Sequence, residues 1–232
     1  MSRITNPGRL AGGLYVVTSI FGFFAMGYVP NKLMVQGDAV ATANNIAASE
    51  TLFRLGIASQ LIGMAGFIFV ALALYELLKG VDRRQAALMV ILIVVSIPIA
   101  FLNEVNSMAA LLLVRGAGFL SVFDQPQCDA LAMLFLNLHG RGLVFSELFW
   151  GLWLFPLGYL VYKSRFLPRF LGIWLTLAGF GWVILCFTGI VLPQYADKLN
   201  TWLQPAILGE IVFMLWLVIK GAKPPQLDAQ AT

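Results

Sequence analysis

Charge is what this sequence has least of. Of its 232 residues only 11% are Asp, Glu, Lys or Arg, against 60% apolar and 13% aromatic, whereas a soluble domain typically carries about 25% charged residues. Less than half the usual charge cannot coat a globule, and the mean hydropathy of +0.86 agrees. A soluble enzyme or nucleic-acid-binding domain is excluded. The net charge of +4 reads instead as basic residues gathered in the loops of a membrane protein, so no nucleic-acid partner is expected. Histidine is nearly absent as well, His139 standing alone, which removes the His-rich spacings of metal sites. Two cysteines, Cys128 and Cys186, are too few for a disulfide framework and read as unpaired thiols. There is no Gly-x-Ser-x-Gly, no His-Glu-x-x-His, no paired aspartates and no phosphate-binding glycine loop. No metal and no cofactor is expected.

What is present is a series of apolar runs long enough to cross a bilayer, each needing roughly 20 residues. Six can be drawn, at about 10–30, 52–79, 86–115, 130–162, 170–192 and 202–220. The predicted fold is therefore all-α, a polytopic bundle of six transmembrane helices forming one domain over 1–222. A polar tail with Pro224 and Pro225 follows at 223–232 and is expected to be disordered. The first run follows Arg3 and Arg9 in the manner of a signal peptide. It is longer than a signal core and no small-residue cleavage site follows, so it reads as a retained span.

Lysine and arginine set the orientation. Arg3, Arg9, Lys79, Arg83, Arg84, Lys163, Arg165, Arg169, Lys220 and Lys223 fall on one side, while Lys32, Arg54, Arg115 and Lys198 fall on or near the other. By the positive-inside rule both termini and the two basic connections are cytoplasmic. The polar, Ala- and Asn-rich segment 35–49 then lies outside, and its pattern permits a short surface helix. A faint repeat relates the first two spans to the last two through Arg9-Leu-Ala-Gly12 and Arg169-Phe-Leu-Gly172. Duplicated hairpins are common in carriers, but shared cytoplasmic anchors account for these signals equally well.

Several words carry a resemblance. The run Leu136-Asn-Leu-His139, the stretch Phe149-Trp-Gly-Leu-Trp-Leu-Phe-Pro-Leu-Gly158 and the basic Tyr162-Lys-Ser-Arg-Phe-Leu-Pro-Arg-Phe-Leu-Gly172 are three of them. Glu210 followed by Trp216-Leu-Val-Ile-Lys-Gly221 is another, with Arg9-Leu-Ala-Gly-Gly-Leu-Tyr15 and Leu74-Tyr-Glu-Leu-Leu-Lys79 nearer the start. Together, and in this order over about residues 9–221, they resemble the bacterial membrane-protein family catalogued as domain of unknown function 4386. The resemblance implies a six-span protein of the bacterial inner membrane. It implies no reaction and no catalytic residues.

Function is therefore sought among the ionisable residues inside spans. Each costs roughly 2.5–3.5 kcal/mol to insert and marks a candidate site. Counting depth at about 1.5 Å per residue from the basic anchors puts Gln60, Glu104, His139 and Arg141 near the outer boundary, with Arg54 just beyond it. Glu147 falls about a quarter of the way in and Glu210 near the midplane. Polar groups thus gather in the outer half, as an outward vestibule would require. Helical phase lets Asn103, Glu104, Asn106 and Ser107 share one face, and His139, Ser146 and Glu147 another, with Arg141 turned away. The glycines around Arg141 serve either close helix packing or a break in the helix. Glu104 has Arg54, Arg115 and Arg141 as eligible partners, whereas Glu147 and Glu210 have no basic residue at their depth. Pro98 and Pro156 are expected kink points.

Three readings follow. In the leading one the protein, among membrane lipids, binds a small or amphiphilic ligand in the vestibule and moves it with a proton. Glu147 and Glu210 then carry the proton, His139 relays it, and Glu104 with Asn103 and Asn106 orients the ligand; Arg54 and Arg141 complete the candidate set. The second is a membrane-embedded enzyme acting on a lipid or isoprenoid head group through His139 and Glu104. The third is a structural or sensory subunit whose polar cluster fixes helix packing. Oligomeric state is left open.

Overall fold

The structure is a computed structural model that describes residues 6–223. Arg3 and the tail from residue 224 onward, where disorder is expected, lie outside the described residues. Those described fold into helices with no strand among them. Six helical stretches are long and apolar enough to span a membrane: Pro7–Leu33, Glu50–Leu78, Arg83–Val114, Gln125–Lys163, Arg169–Val191 and Pro193–Ile219. The all-α polytopic expectation therefore holds. Half of the fourth stretch's most apolar window is buried by protein, against 17% for the first. The remaining apolar surface, including Ile20, Phe23 and Leu102 at 62–74% exposure, is what acyl chains cover in a bilayer.

Two of the six stretches are interrupted, each beside a proline. The first comprises α1 (Pro7–Phe23), a single π-helical turn over Phe24–Tyr28, and α2 (Val29–Leu33). In the π turn Val29 N–H bonds back to the Phe24 carbonyl, five residues earlier. Pro30, next in line, has no N–H to restore the ordinary ladder. The fourth comprises α6 (Gln125–Leu152) and α7 (Leu154–Lys163), separated at Trp153. Pro156 cannot donate to the Leu152 carbonyl, so the break sits where a missing hydrogen bond places it. The third stretch, α5 (Arg83–Val114), runs on through Pro98. Between α2 and α4 (Glu50–Leu78) lies the short helix α3 (Ala39–Ala48), capped by Asp38 Oδ1 accepting from Ala41 N–H at 2.8 Å. It buries Thr42, Ala43 and Ile46 and exposes its other side.

The described chain clusters into two units. The first takes the chain up to Val16, then Phe67–Val95, and all from Glu147 on. It contains α7, α8 (Arg169–Val191) and α9 (Ala196–Ile219), and its core includes fully buried Leu74, Met89, Leu157, Leu175 and Phe213. Here the chain's first and last helices are tied together. Gly8 N–H donates to the Ala222 carbonyl at 3.0 Å, Asn6 Oδ1 accepts from Ala222 N–H at 3.0 Å, and Arg9 Nη2 donates to the Ile219 carbonyl at 3.2 Å. Gly221 turns the chain out of α9 at φ +72°, a left-handed conformation that glycine adopts without strain. The second unit takes Val17–Gly66 and Ser96–Ser146. Its core gathers Val29, Ile46, Phe53, Leu111, Cys128 and Leu136.

Candidate functional site

The sequence-predicted residues divide between the units, Glu104, His139, Asn103, Asn106, Arg54 and Arg141 falling in the second and Glu147 and Glu210 in the first.

In the second unit α5 and α6 meet at a buried polar pair. His139 Nε2–H donates to Glu104 Oε1 at 2.8 Å, with the carboxylate side chain 7% exposed and the imidazole 17%. With Glu104 as a carboxylate, which only accepts, the bond places a proton on Nε2. The backbone beneath is clamped. Asn103 Nδ2 donates to the His139 carbonyl at 2.9 Å, and Asn106 Nδ2 donates to the Asn103 carbonyl and Oδ1 at 3.1 and 3.3 Å. The Asn103 amide lies where a Cβ on residue 142 would be, so Gly142 permits the contact. Asn103 and Asn106 thus hold α6 against α5 and are absent from the cavity wall described next.

Beside this pair is a cavity of about 240 Å³, open on one side. Its polar lining is Gln60 from α4, Glu104 and Ser107 from α5, and His139 from α6. The rest is apolar and comes partly from the interrupted first stretch, where Ala25 and Met26 of the π turn and Val29 and Pro30 of α2 form one wall. π turns recur at functional sites because they re-aim the side chains around them. Gln60 is 4% exposed and its Oε1 has no hydrogen-bond partner among the described residues. Glu104 makes no further bond there beyond the one to His139. α6 runs unbroken through Gly140 and Gly142, which settles their role. Gly142 serves close packing, while a Cβ on Gly140 would meet nothing within 4 Å and Gly140 lines the cavity.

The arginines eligible for Glu104 go elsewhere. Arg54 Nε bonds Glu50 Oε1 at 2.7 Å within α4, and Arg115 Nε lies 3.7 Å from Glu50 Oε2. Arg141 is exposed and does not line the cavity. Glu50 was legible as the i, i+4 partner of Arg54 and is the residue that sequence reasoning passed over.

In the first unit Glu210 on α9 accepts a hydrogen bond from the Tyr15 hydroxyl of α1. Tyr15 is 4% exposed and sits edge-on to Phe67 at 5.3 Å, which is itself edge-on to Trp153 at 5.5 Å. Glu210 thus belongs to a buried carboxyl–phenol pair in an aromatic setting. The buried Trp182 indole N–H has no hydrogen-bond partner among the described residues. Tyr15 was visible only as the last letter of a family word. Glu147, partly buried on α6, makes no hydrogen bond or ion pair with a described residue. Both cysteines are buried and free.

No solved structure matches this chain. An uncharacterised protein of Archaeoglobus fulgidus is 30% identical over 161 residues, which cover 67% of this chain and 77% of that relative. A model of the family described as domain of unknown function (DUF4386) matches residues 10–221. With that match reaching all six membrane-length helices, the chain belongs to the domain of unknown function 4386 family and is a multi-pass membrane protein.

Proposed function

We propose that this protein binds a small or amphiphilic molecule in the cavity of its second unit. The observation that carries the reading is a mostly apolar space of about 240 Å³ faced by two buried side chains, Glu104 and Gln60, that keep acceptor atoms unused. A purely apolar void stays dry, and a closed polar network needs no ligand. Unused acceptors set in apolar walls are the composition of a ligand site. The apolar part of the ligand lies along Val29, Phe53, Ile57 and Leu136, and its polar part meets Glu104. Met26 and Met34 on the same wall adapt to its shape.

Native mass spectrometry of protein purified in its native lipid tests this. Wild type should carry a small molecule that Gly140→Phe lacks, since Gly140 lines the cavity and a Cβ there meets nothing within 4 Å, which leaves room for a bulky side chain at the ligand's expense. Identical spectra for the two overturn the reading.

The orientation that accompanies it puts the cavity at the extracytoplasmic face of a bacterial inner membrane, with both termini inside, and its support is the one-sided distribution of lysine and arginine. Native Cys128 and Cys186 are buried, so labelling background is low. A cysteine at Asn44 should react with an impermeant maleimide on intact cells and one at Arg84 should not; the reverse pattern inverts the protein.

A second reading, movement of the ligand with a proton, is favoured by the buried Tyr15–Glu210 pair, a donor and acceptor able to exchange one proton. It predicts that Glu210→Gln changes the pH dependence of ligand binding, and an unchanged profile removes it.

A further inference from the structure

We infer that the polar end of the ligand is a monovalent organic cation, a primary ammonium or an amidinium-like group, held by Glu104. The inference rests on the cavity being a ligand site. The atoms facing the space are acceptors in excess. Glu104 keeps Oε2 after engaging His139 through Oε1, Gln60 keeps a buried Oε1, and the Ser107 hydroxyl shares the wall. The strong donor of the wall, His139 Nε2–H, already points at Glu104.

Other head groups fit less well. An anion would approach a carboxylate with no lysine or arginine in the lining to offset it, because Arg54 and Arg115 are held by Glu50. A neutral hydroxyl would offer these acceptors one uncharged donor, where an ammonium offers three charge-assisted ones. A divalent metal takes six or more hard ligands, and the walls here are mainly hydrocarbon. An ammonium brings one positive charge and three donors, matching Glu104 Oε2, Gln60 Oε1 and Ser107 Oγ. Size agrees as well. A 150 Å³ apolar cavity holds benzene, so 240 Å³ takes roughly ten non-hydrogen atoms, and a longer chain leaves by the open side.

Three probes with one tail separate the possibilities: octylammonium, octan-1-ol and octanoate, titrated calorimetrically into protein in lipid nanodiscs. Binding in Gly140→Phe nanodiscs is subtracted as membrane partition. Octylammonium should bind about tenfold or more tightly than octan-1-ol, since a charge-assisted hydrogen bond is roughly twice as strong as a neutral one, and octanoate should not bind. Glu104→Gln should erase the preference for ammonium, and Gln60→Glu, which adds a second carboxylate, should sharpen it. The two variants alter opposite sides of the charge balance, so one suffices if the other fails to fold. Equal binding of octan-1-ol, or binding of octanoate, overturns the cation inference and leaves the cavity as a ligand site. No binding of any probe above the blocked variant overturns both.

Discussion

Gly158→Leu is expected to remove most of the folded protein. In the first unit α6 and α7 run against α8 through glycines seven residues apart on each side, Gly151 facing Gly179 and Gly158 facing Gly172. A Cβ on residue 158 would stand 2.7 Å from the Gly172 carbonyl oxygen and 3.1 Å from Thr176 N, and one on residue 172 would stand 2.6 Å from the Gly158 carbonyl oxygen. These are backbone atoms, so no side chain can rotate away and the helices must part. Helices in lipid associate mainly by such close packing, with no hydrophobic effect to draw them back together. Overpacking commonly costs about 1–3 kcal/mol, and separation of two backbones belongs at the upper end. Size-exclusion chromatography after graded heating should show the variant's monodisperse peak lost at the lowest temperatures. Gly140→Leu is the control. A Cβ there would meet nothing within 4 Å, the change replaces a poor helix former by a good one worth about 0.8 kcal/mol, and the variant should match or slightly exceed wild type. Equal thermal profiles for the two variants would refute the glycine-packing account.

The span count and the all-α fold were legible because length and apolarity alone decide them. Scarce charge left no other place for the chain, and the break at Trp153 could be anticipated from Pro156. The π turn over Phe24–Tyr28 could not. Its sequence, Phe-Ala-Met-Gly-Tyr, is as apolar as the ordinary turns around it, and only Pro30 hinted that the ladder would be disturbed. The closing helix α9 begins at Ala196, six residues before the run drawn from hydropathy. Its first turns carry Asp197, Lys198 and Asn200, which a hydropathy window rejects and a helix accepts.

The candidate site was legible as a set of residues and illegible as a set of partners. Helical phase put Glu104 on one face and His139 on another but could not say that the two faces meet. Arg54 was an eligible partner for Glu104 until Glu50, one turn away on the same helix, proved nearer; a local i, i+4 pair needs no tertiary contact to form. That the Asn103 amide reaches the backbone of a second helix 2.9 Å away is a tertiary contact, which sequence does not reveal. Gln60 gained weight only from its surroundings, since an amide is ordinary until it is buried without a partner.

Tyr15→Phe should destabilise the protein by roughly 1–3 kcal/mol, the cost of stripping a buried polar group of its partner. Only the hydroxyl is lost, and the ring contacts with Phe67 and Trp153 at 5.3 and 6.3 Å remain, so packing contributes little. Glu210→Leu alone removes the acceptor of the Tyr15 hydroxyl and should be destabilising as well. The double variant Tyr15→Phe/Glu210→Leu removes donor and acceptor together and should recover much of the loss, because replacing a buried polar pair by apolar groups is often neutral or stabilising. The coupling between the two changes should reach about 0.5–3 kcal/mol, as for residues in direct contact, and additive losses would show that the phenol and the carboxyl group do not depend on each other. Thermal unfolding in detergent supplies all four corners of the cycle. The double variant then separates structure from proton movement. Recovered stability with ligand binding that keeps its pH dependence makes the pair a packing device, whereas recovered stability with that dependence abolished makes the Tyr15–Glu210 bond a proton site within a fold that stands without it.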